Sequence, residues 1–427
     1  MLGGNSSGRR ALGKIEAVII IIVVVAAGFV GFYAYTTFGT QSSKAPPTIL
    51  LGATLSLTGS YSGYGIETLQ AYQIAINATN ASGGVYISQY GKKIPLKLVY
   101  LDDASNPATA VANVERLITV DHVVALLGDV TTAMVEAVAP VAERYHVPVV
   151  STLISDPTLN QNGYKYGAFA IWPTNQQIVE QIVSFLNSLP TQYKPRTFAI
   201  AADTTGLCSN IAQNYHTLLT ADGLQQVDQE TVTPGATDYS PVIEHLATAK
   251  PDFLAICISS TTDAVNFFRQ AKLLNFNPTD GVAGIGGLTA DFGKALGNDS
   301  NFVMGNTIWS SSLTWPGNSN FTQAYESTFH TTPIYAGAGY AVAQVMIDAI
   351  RKTGSLNSTS IDNAIWSINA STVVGPVSFQ QQGSALPGRA ILQVALLEWQ
   401  NGTDVVVYPQ SIATAKLAWP WVPWSAR

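Results

Sequence analysis

Charge is scarce in this chain. Asp, Glu, Lys and Arg make up 11 % of its 427 residues, against about 25 % in an ordinary soluble domain. The 21 basic and 27 acidic side chains leave a net charge of −6, and no basic stripe is present to neutralise phosphates, which argues against nucleic acid as a partner. Cysteine is scarcer still: Cys208 and Cys257 are the only two, too few for a zinc knuckle or a disulfide framework. The histidines, His122, His146, His216, His245 and His330, are scattered. There is no His-Glu-x-x-His. Gly4 to Gly8 has the bare Gly-x-Ser-x-Gly spacing and Gly8 to Lys14 the bare Gly-x-x-x-x-Gly-Lys spacing, but no strand precedes either, and Ile15 stands where a phosphate loop needs Ser or Thr, so metal hydrolysis, nucleotide binding and acyl transfer lack their signals in the context each requires. No catalytic residue, metal or cofactor is expected, and the chain reads as a non-enzyme. What is abundant is apolar: 47 % of residues, with 35 Gly and 21 Pro near average usage, which excludes disorder.

One run stands out. From Ala17 to Ala34 the sequence is almost unbroken Val, Ile, Ala, Gly and Phe, close to the roughly 20 residues that span a bilayer as a helix. Arg9, Arg10 and Lys14 precede it, which places residues 1–16 in the cytoplasm and everything after the span outside. The expectation is a single-pass protein of the cell membrane, anchored through an N-terminal helix over 17–36 and followed by a Ser, Thr and Pro-rich linker over 37–48. Arg10-Ala11-Leu12, with Glu16 just ahead of the apolar run, resembles the class III, pilin-like signals of archaeal surface proteins. That resemblance implies a cut after Ala11 with the helix retained; an uncleaved signal anchor is the alternative. Asn-x-Ser/Thr sequons at Asn5, Asn77, Asn80, Asn298, Asn320, Asn357, Asn369 and Asn401 suit an exposed surface without proving modification.

Beyond the linker, strands alternate with helices. Ile49 to Leu55 reads as a strand, then a Gly-rich turn runs from Thr58 to Gly65, and a helix from about Glu67 to Asn80. Asn106 followed by Pro107 is a helix start. Val123 to Leu127 and Val147 to Val150 read as buried strands around a helix from Thr132 to Tyr145. The same alternation restarts at Asn175 and continues to Ile285. Such βαβ repetition predicts parallel sheets, with ligands beyond the carboxyl ends of the strands. Two such halves suggest two lobes facing across a cleft, and the segments after Phe302 are expected to return and complete both.

Here the residues resemble a family. Thr58-Gly59 to Tyr64-Gly65, Asp102-Asp103-Ala104-Ser105 with Pro107-Ala108-Thr109-Ala110, Gly128 to Thr132, Pro148 to Ser151, Gly235 to Ser240, Tyr335 to Tyr340, Gly375 to Phe379 and Tyr408 to Lys416 are similar, in order, to the type I periplasmic binding proteins. The branched-chain amino-acid type of ABC-transporter solute-binding protein is the nearest group. The resemblance implies an α/β fold of two Rossmann-like lobes, with 49–170 and 300–374 in the first, 171–299 and 375–416 in the second, and 417–427 as a tail. It also implies a small polar solute, held between closing lobes and handed to an ABC permease in the membrane. A ligand-sensing ectodomain working with a separate membrane partner is the alternative.

Carried onto this chain, the resemblance puts the solute carboxylate at the Thr131 and Thr132 amides and hydroxyl. The physics of a helix N-terminus independently favours an anion there, although a plain cap is the simpler role. The Leu153 amide and Ser155 hydroxyl fall where the family holds an amino-acid head, and Tyr64 where an aromatic covers the ligand. Trp172, at the first crossing, lines the cleft or belongs to a core. Two positions depart from the pattern: Leu207 stands where a tyrosine is expected, and Ala236 where the family has the acid that pairs with an α-ammonium. Asp129 and Asp156 could substitute for that acid. Cys208 and Cys257, both in the second lobe, form a disulfide or remain two buried thiols.

Overall fold

Ile49–Leu55 (β1) is apolar or small on both faces and buried along almost its whole length, as an interior parallel strand requires. In the computed structural model, which describes residues 44–285, 290–401 and 403–426, it pairs with Leu96–Asp102 (β4) on one side and Ala125–Leu127 (β5) on the other. Val149–Thr152 (β6) and Phe169–Ile171 (β7) extend an all-parallel sheet in the order β4-β1-β5-β6-β7. Helices Ser62–Ala81 (α1), Pro107–Thr119 (α2) and Thr132–Tyr145 (α3) make the crossovers, with the short Thr158–Gln161 (α4) before β7. Asn106 caps α2 by accepting from the Ala108 and Thr109 amides, with Pro107 in the first turn. A small hairpin, Val85–Ile87 (β2) with Lys92–Ile94 (β3), precedes β4; its strands are too short to leave a periodic signal.

The second half repeats this topology. Asn175–Ser188 (α5) leads into Thr197–Asp203 (β8), Gly206–Ala221 (α6), Gln225–Val232 (β9), Ser240–Ala249 (α7), Phe253–Cys257 (β10), Thr261–Leu273 (α8), Gly281–Ile285 (β11), Ala290–Leu296 (α9) and Val303–Thr307 (β12). Strands β9, β8, β10, β11 and β12 are neighbours in that order, all parallel. In both sheets the first strand has the second on one side and the third on the other. That reversal of direction is the switch point at which doubly wound sheets leave a crevice.

After β12 the chain returns to the first half with Asn318–Phe329 (α10), Ala336–Thr353 (α11) and Ser358–Trp366 (α12). Helix α11 is buried on most sides and packs along α1. A three-stranded sheet follows, Ala370–Thr372 (β13), Gly375–Phe379 (β14) and Ala390–Ile391 (β15). Finally Ala395–Gln400 (β16) and Thr403–Tyr408 (β17) join the second sheet antiparallel, beyond β12.

These pairings correct the expected boundaries. Residues 300–307 belong with the second sheet, because β12 hydrogen-bonds β11 and β16 there. Residues 375–391 belong with the first: Ala170 bridges Arg389, and Phe169 packs on Phe379 and Trp366. The supposed tail is core. Trp421 and Trp424 are buried within the second half's apolar cluster, and the Trp424 indole donates to the Phe276 carbonyl at 2.7 Å. The membrane span expected over 17–36 and the cytoplasmic segment 1–16 lie outside the described residues. Among the described residues no helix is long and apolar enough to cross a membrane.

Candidate functional site

The chain leaves the first sheet at the carboxyl end of β7 and the second at the carboxyl end of β12. Both carboxyl edges therefore adjoin the segments that cross between the halves. The loops that matter follow β1 and β5 on one side, and β8 and β10 on the other.

After β1, the turn is tied to the end of β4. Asp102 accepts hydrogen bonds from the Leu57, Thr58 and Ala104 amides and the Thr58 hydroxyl, at 2.7 to 3.2 Å. Slight desolvation of this exposed side chain raises its carboxyl, but these four donors outweigh it and hold the group below the usual range. Tyr64 lies not in the turn but in the first turn of α1. It meets Tyr335 edge to face, with ring centroids 4.9 Å apart. Burial and the nearby Glu67 push its phenol up to about 12, so it remains a hydrogen-bond donor at neutral pH. Glu67 reaches from α1 to the start of α11 and accepts from the Ile334, Tyr335 and Ala336 amides at 2.8 to 3.2 Å. A carboxylate at those orphan amides satisfies them and complements the helix dipole.

After β5 comes Gly128. A Cβ there would sit 2.0 Å from the Ser151 hydroxyl oxygen, so glycine is what lets the loop pass β6. Thr131 is the N-cap of α3, its hydroxyl accepting from the Met134 amide at 3.4 Å. That commits the Thr131 side chain to the helix. Thr132 is half-buried in the first turn, where the leading amides of a helix have no intrahelical acceptor. Next to it, after β6, Leu153 has φ +56°, a left-handed conformation that costs a non-glycine residue about 1–2 kcal/mol. Strain of this kind persists only where surrounding contacts enforce it, and it gathers at functional sites. Ser155 follows, almost fully buried, with its carbonyl accepting from the Asn175 amide at 2.8 Å.

The two proposed ammonium partners differ in their surroundings. Asp129 is 0 % exposed and turned inward beside Asp103. Asp156 is half-buried, and one of its oxygens accepts from the Thr158 amide at 2.8 Å. In the second half, Leu207 packs against the apolar cluster of β8 and β10, and Ala236 against that of α7 and α8. Both have structural surroundings. Trp172 is half-buried, and its carbonyl accepts from Arg389 at 3.1 Å. Cys208 and Cys257 form a disulfide, tying the first turn of α6 to the end of β10. Asp203, at the end of β8, binds the same two loops, accepting from the Thr205 amide and from the Ser259 amide and hydroxyl.

The sequence reading takes Glu67 and Tyr335 only as parts of a helix and of a matching segment, and does not single out Arg389. Each lies more than 200 residues from at least one of the groups it meets, and no local spacing announces such a meeting. Leu153's backbone also left no signal, since leucine is an improbable left-handed residue.

A family model described as periplasmic binding protein matches residues 48–404. A Leu/Ile/Val-binding protein homolog 7 of Brucella abortus is 25 % identical over 405 residues, covering 89 % of this chain and 96 % of that protein. Among solved structures, the substrate-binding protein LivJ of Streptococcus pneumoniae in complex with isoleucine superposes with a TM-score of 0.72. It is 19 % identical, and the match covers 85 % of this chain and 100 % of that one. A solute-binding protein of Rhodopseudomonas palustris in complex with 3,4-dihydroxybenzoic acid gives 0.70 at 19 % identity, covering 84 % and 95 %.

Proposed function

We propose that this chain, which belongs to the periplasmic binding protein family, captures a small carboxylate-bearing solute between its two α/β halves and delivers it to an ABC-type permease. No chemistry is performed on the solute. The apolar run over 17–36 would hold it at the outer face of the membrane. The observation that carries the reading is that the paired strands β5 and β6 end, on the carboxyl edge of the first sheet, in the α3 N-terminus and the strained Leu153 loop. Helix-terminal amides suit an anion, and the Tyr64–Tyr335 pair supplies an aromatic flank on the same sheet edge.

The solutes named for two of the similar structures, isoleucine and 3,4-dihydroxybenzoic acid, share a carboxylate and little else. An acid to pair with an ammonium is missing at Ala236, and Asp129 is buried. The carboxylate is therefore the recognised group, and an α-amino group is not required.

The test is thermal unfolding of the protein against paired solutes: leucine and leucinamide, benzoate and benzamide, and a set of sugars. A solute at 100 times its dissociation constant stabilises by about 2.7 kcal/mol. The acids should shift the midpoint and the amides should not. Shifts with sugars alone, or with acid and amide equally, would remove the carboxylate from the argument.

A further inference from the structure

Arg389 is 0 % exposed, and a fully buried arginine needs acceptors for its donors. Its two terminal nitrogens find them on backbone, while the buried Nε has no hydrogen-bond partner. One terminal nitrogen donates to the Ile154 carbonyl and, at 3.1 Å, to that of Trp172; the other donates to the Asp156 carbonyl at 2.7 Å. Ile154 and Asp156 belong to the loop after β6. Trp172 begins the first crossing, one residue beyond β7. The arginine itself sits where the chain is about to make its last crossing, from β15 to β16.

Its own backbone is fixed from both sides. Gly388, at φ +79°, lies where a Cβ would come within 2.6 Å of the Ala168 carbonyl oxygen, and its carbonyl accepts from the Ala170 amide at 3.0 Å. The Arg389 carbonyl accepts from the Gln380 amide at 2.9 Å. Asn160 of α4 donates to the Pro387 carbonyl at 2.8 Å and to that of Ala168 at 2.9 Å. Burial pulls the guanidinium down to about 10, with Asp156 opposing, so it keeps its charge at neutral pH. A buried charge is an expensive way to join three carbonyls, and an apolar side chain of equal size would fill the space more cheaply.

We propose that Arg389 is the positioning residue of the solute site: it locks the strained loop 153–156 to the first and last crossings, so that the loop and the hinge move as one piece. Opening the hinge then moves the Leu153 amide, and seating a solute on that loop biases the hinge. The inference rests on the solute-binding reading for its consequence, but its structural core can be tested without any solute.

Hydrogen–deuterium exchange of the ligand-free full chain is the first arm. In Arg389→Gln, the Asn175 amide and residues 153–160 should exchange about tenfold faster or more, the loss expected when charge-assisted bonds are removed. Strands β1 and β5 should keep their wild-type exchange. Unchanged exchange at the loop, or equal acceleration throughout the first sheet, overturns the proposal. If Arg389→Gln does not fold, Arg389→Lys decides by the same two criteria, since an ammonium keeps the charge but lacks the planar fork.

The second arm uses L-isoleucine as probe. Its dissociation constant should rise about tenfold in Arg389→Gln and partly recover in Arg389→Lys. An affinity equal to wild type beside a loosened loop overturns the positioning role. If the wild-type protein binds neither isoleucine nor benzoate, it is the solute class that fails, and the exchange arm still decides the role of Arg389.

Discussion

Asp103 and Asp129 flank Ser56, whose hydroxyl lies 2.8 Å from the first carboxylate and 3.4 Å from the second. Sheet order explains the meeting: Asp103 follows β4, Asp129 follows β5, and Ser56 follows the strand between them. Both acids are 0 % exposed. Burial and the neighbouring Asp103 raise the Asp129 carboxyl far above the usual range, so Asp129 favours its protonated form in the folded protein.

Replacing Asp129 with Asn should therefore stabilise the protein at neutral pH by about 1 kcal/mol or more, because the amide presents a donor with no proton to find. Asp103→Asn should do the reverse and cost about 1–3 kcal/mol, since Asp103 accepts from Thr54, Ser56 and the Ser105 amide. Urea midpoints of the two variants at neutral pH check this; equal effects would mean that the acids are not distinct.

Stability should fall as pH rises from about 4 to 7. Burial, with Asp252 nearby, pushes Asp280 up to about 6, and burial pushes Asp362 and Glu398 up to about 7. These groups bind protons more tightly when folded, so between the unfolded and folded values the native state holds more protons, and each unit of rising pH lowers the unfolding free energy. A series of denaturant midpoints across that interval measures the slope; a maximum above neutrality would contradict it. An acid-side maximum would also suit the low surface charge, since ion pairs lose their value once carboxylates protonate.

Thr131 and Thr132 should separate stability from binding. Thr131 caps α3, so Thr131→Ala should cost about 1 kcal/mol of stability. Thr132 carries no cap, and Thr132→Val should leave the unfolding midpoint nearly unchanged while weakening carboxylate binding about tenfold, the value of one hydrogen bond to a charged group. Calorimetric titration with the acid that gives the largest thermal shift reads the second effect.

Removing residues 419–427 should destabilise the second half severely. Trp421 and Trp424 are buried, Trp419 packs edge to face on Phe185 at 5.4 Å, and burying a large apolar side chain is worth roughly 1.5–3 kcal/mol. Thermal unfolding of the truncated chain should begin well below that of the full chain, with β8 and β10 losing exchange protection before β1 and β5.

Much of the architecture was legible because its causes are local. Apolar runs, the Asn106-Pro107 start and the repeated βαβ alternation each depend on a few neighbouring residues, and they led to two parallel sheets. The lobe boundaries were not legible. Whether β12 stays in the second sheet, where Met304 pairs with Glu398, and whether the segment around β14 lies beside β7, where Ala170 bridges Arg389, depends on partners far away in the sequence. The tryptophans near the C-terminus were misread for the same reason: a short Trp and Pro-rich run has no period, and only its docking on Phe276 and Asn277 makes it core.

The sequence by itself determined the parallel α/β class, the helix start at Thr131-Thr132 and the shortage of catalytic groups, because propensity, capping and residue inventory do not need the rest of the chain. Tertiary structure alone decided which groups face one another. It turned Asp129 inward against Asp103, set Tyr335 on Tyr64, forced Leu153 into a left-handed backbone and brought Arg389 to the carbonyls of Ile154, Asp156 and Trp172. Those outcomes follow from strand order and from where a returning segment docks, and such long-range closures are set by the packing of the whole molecule rather than by any window of its sequence.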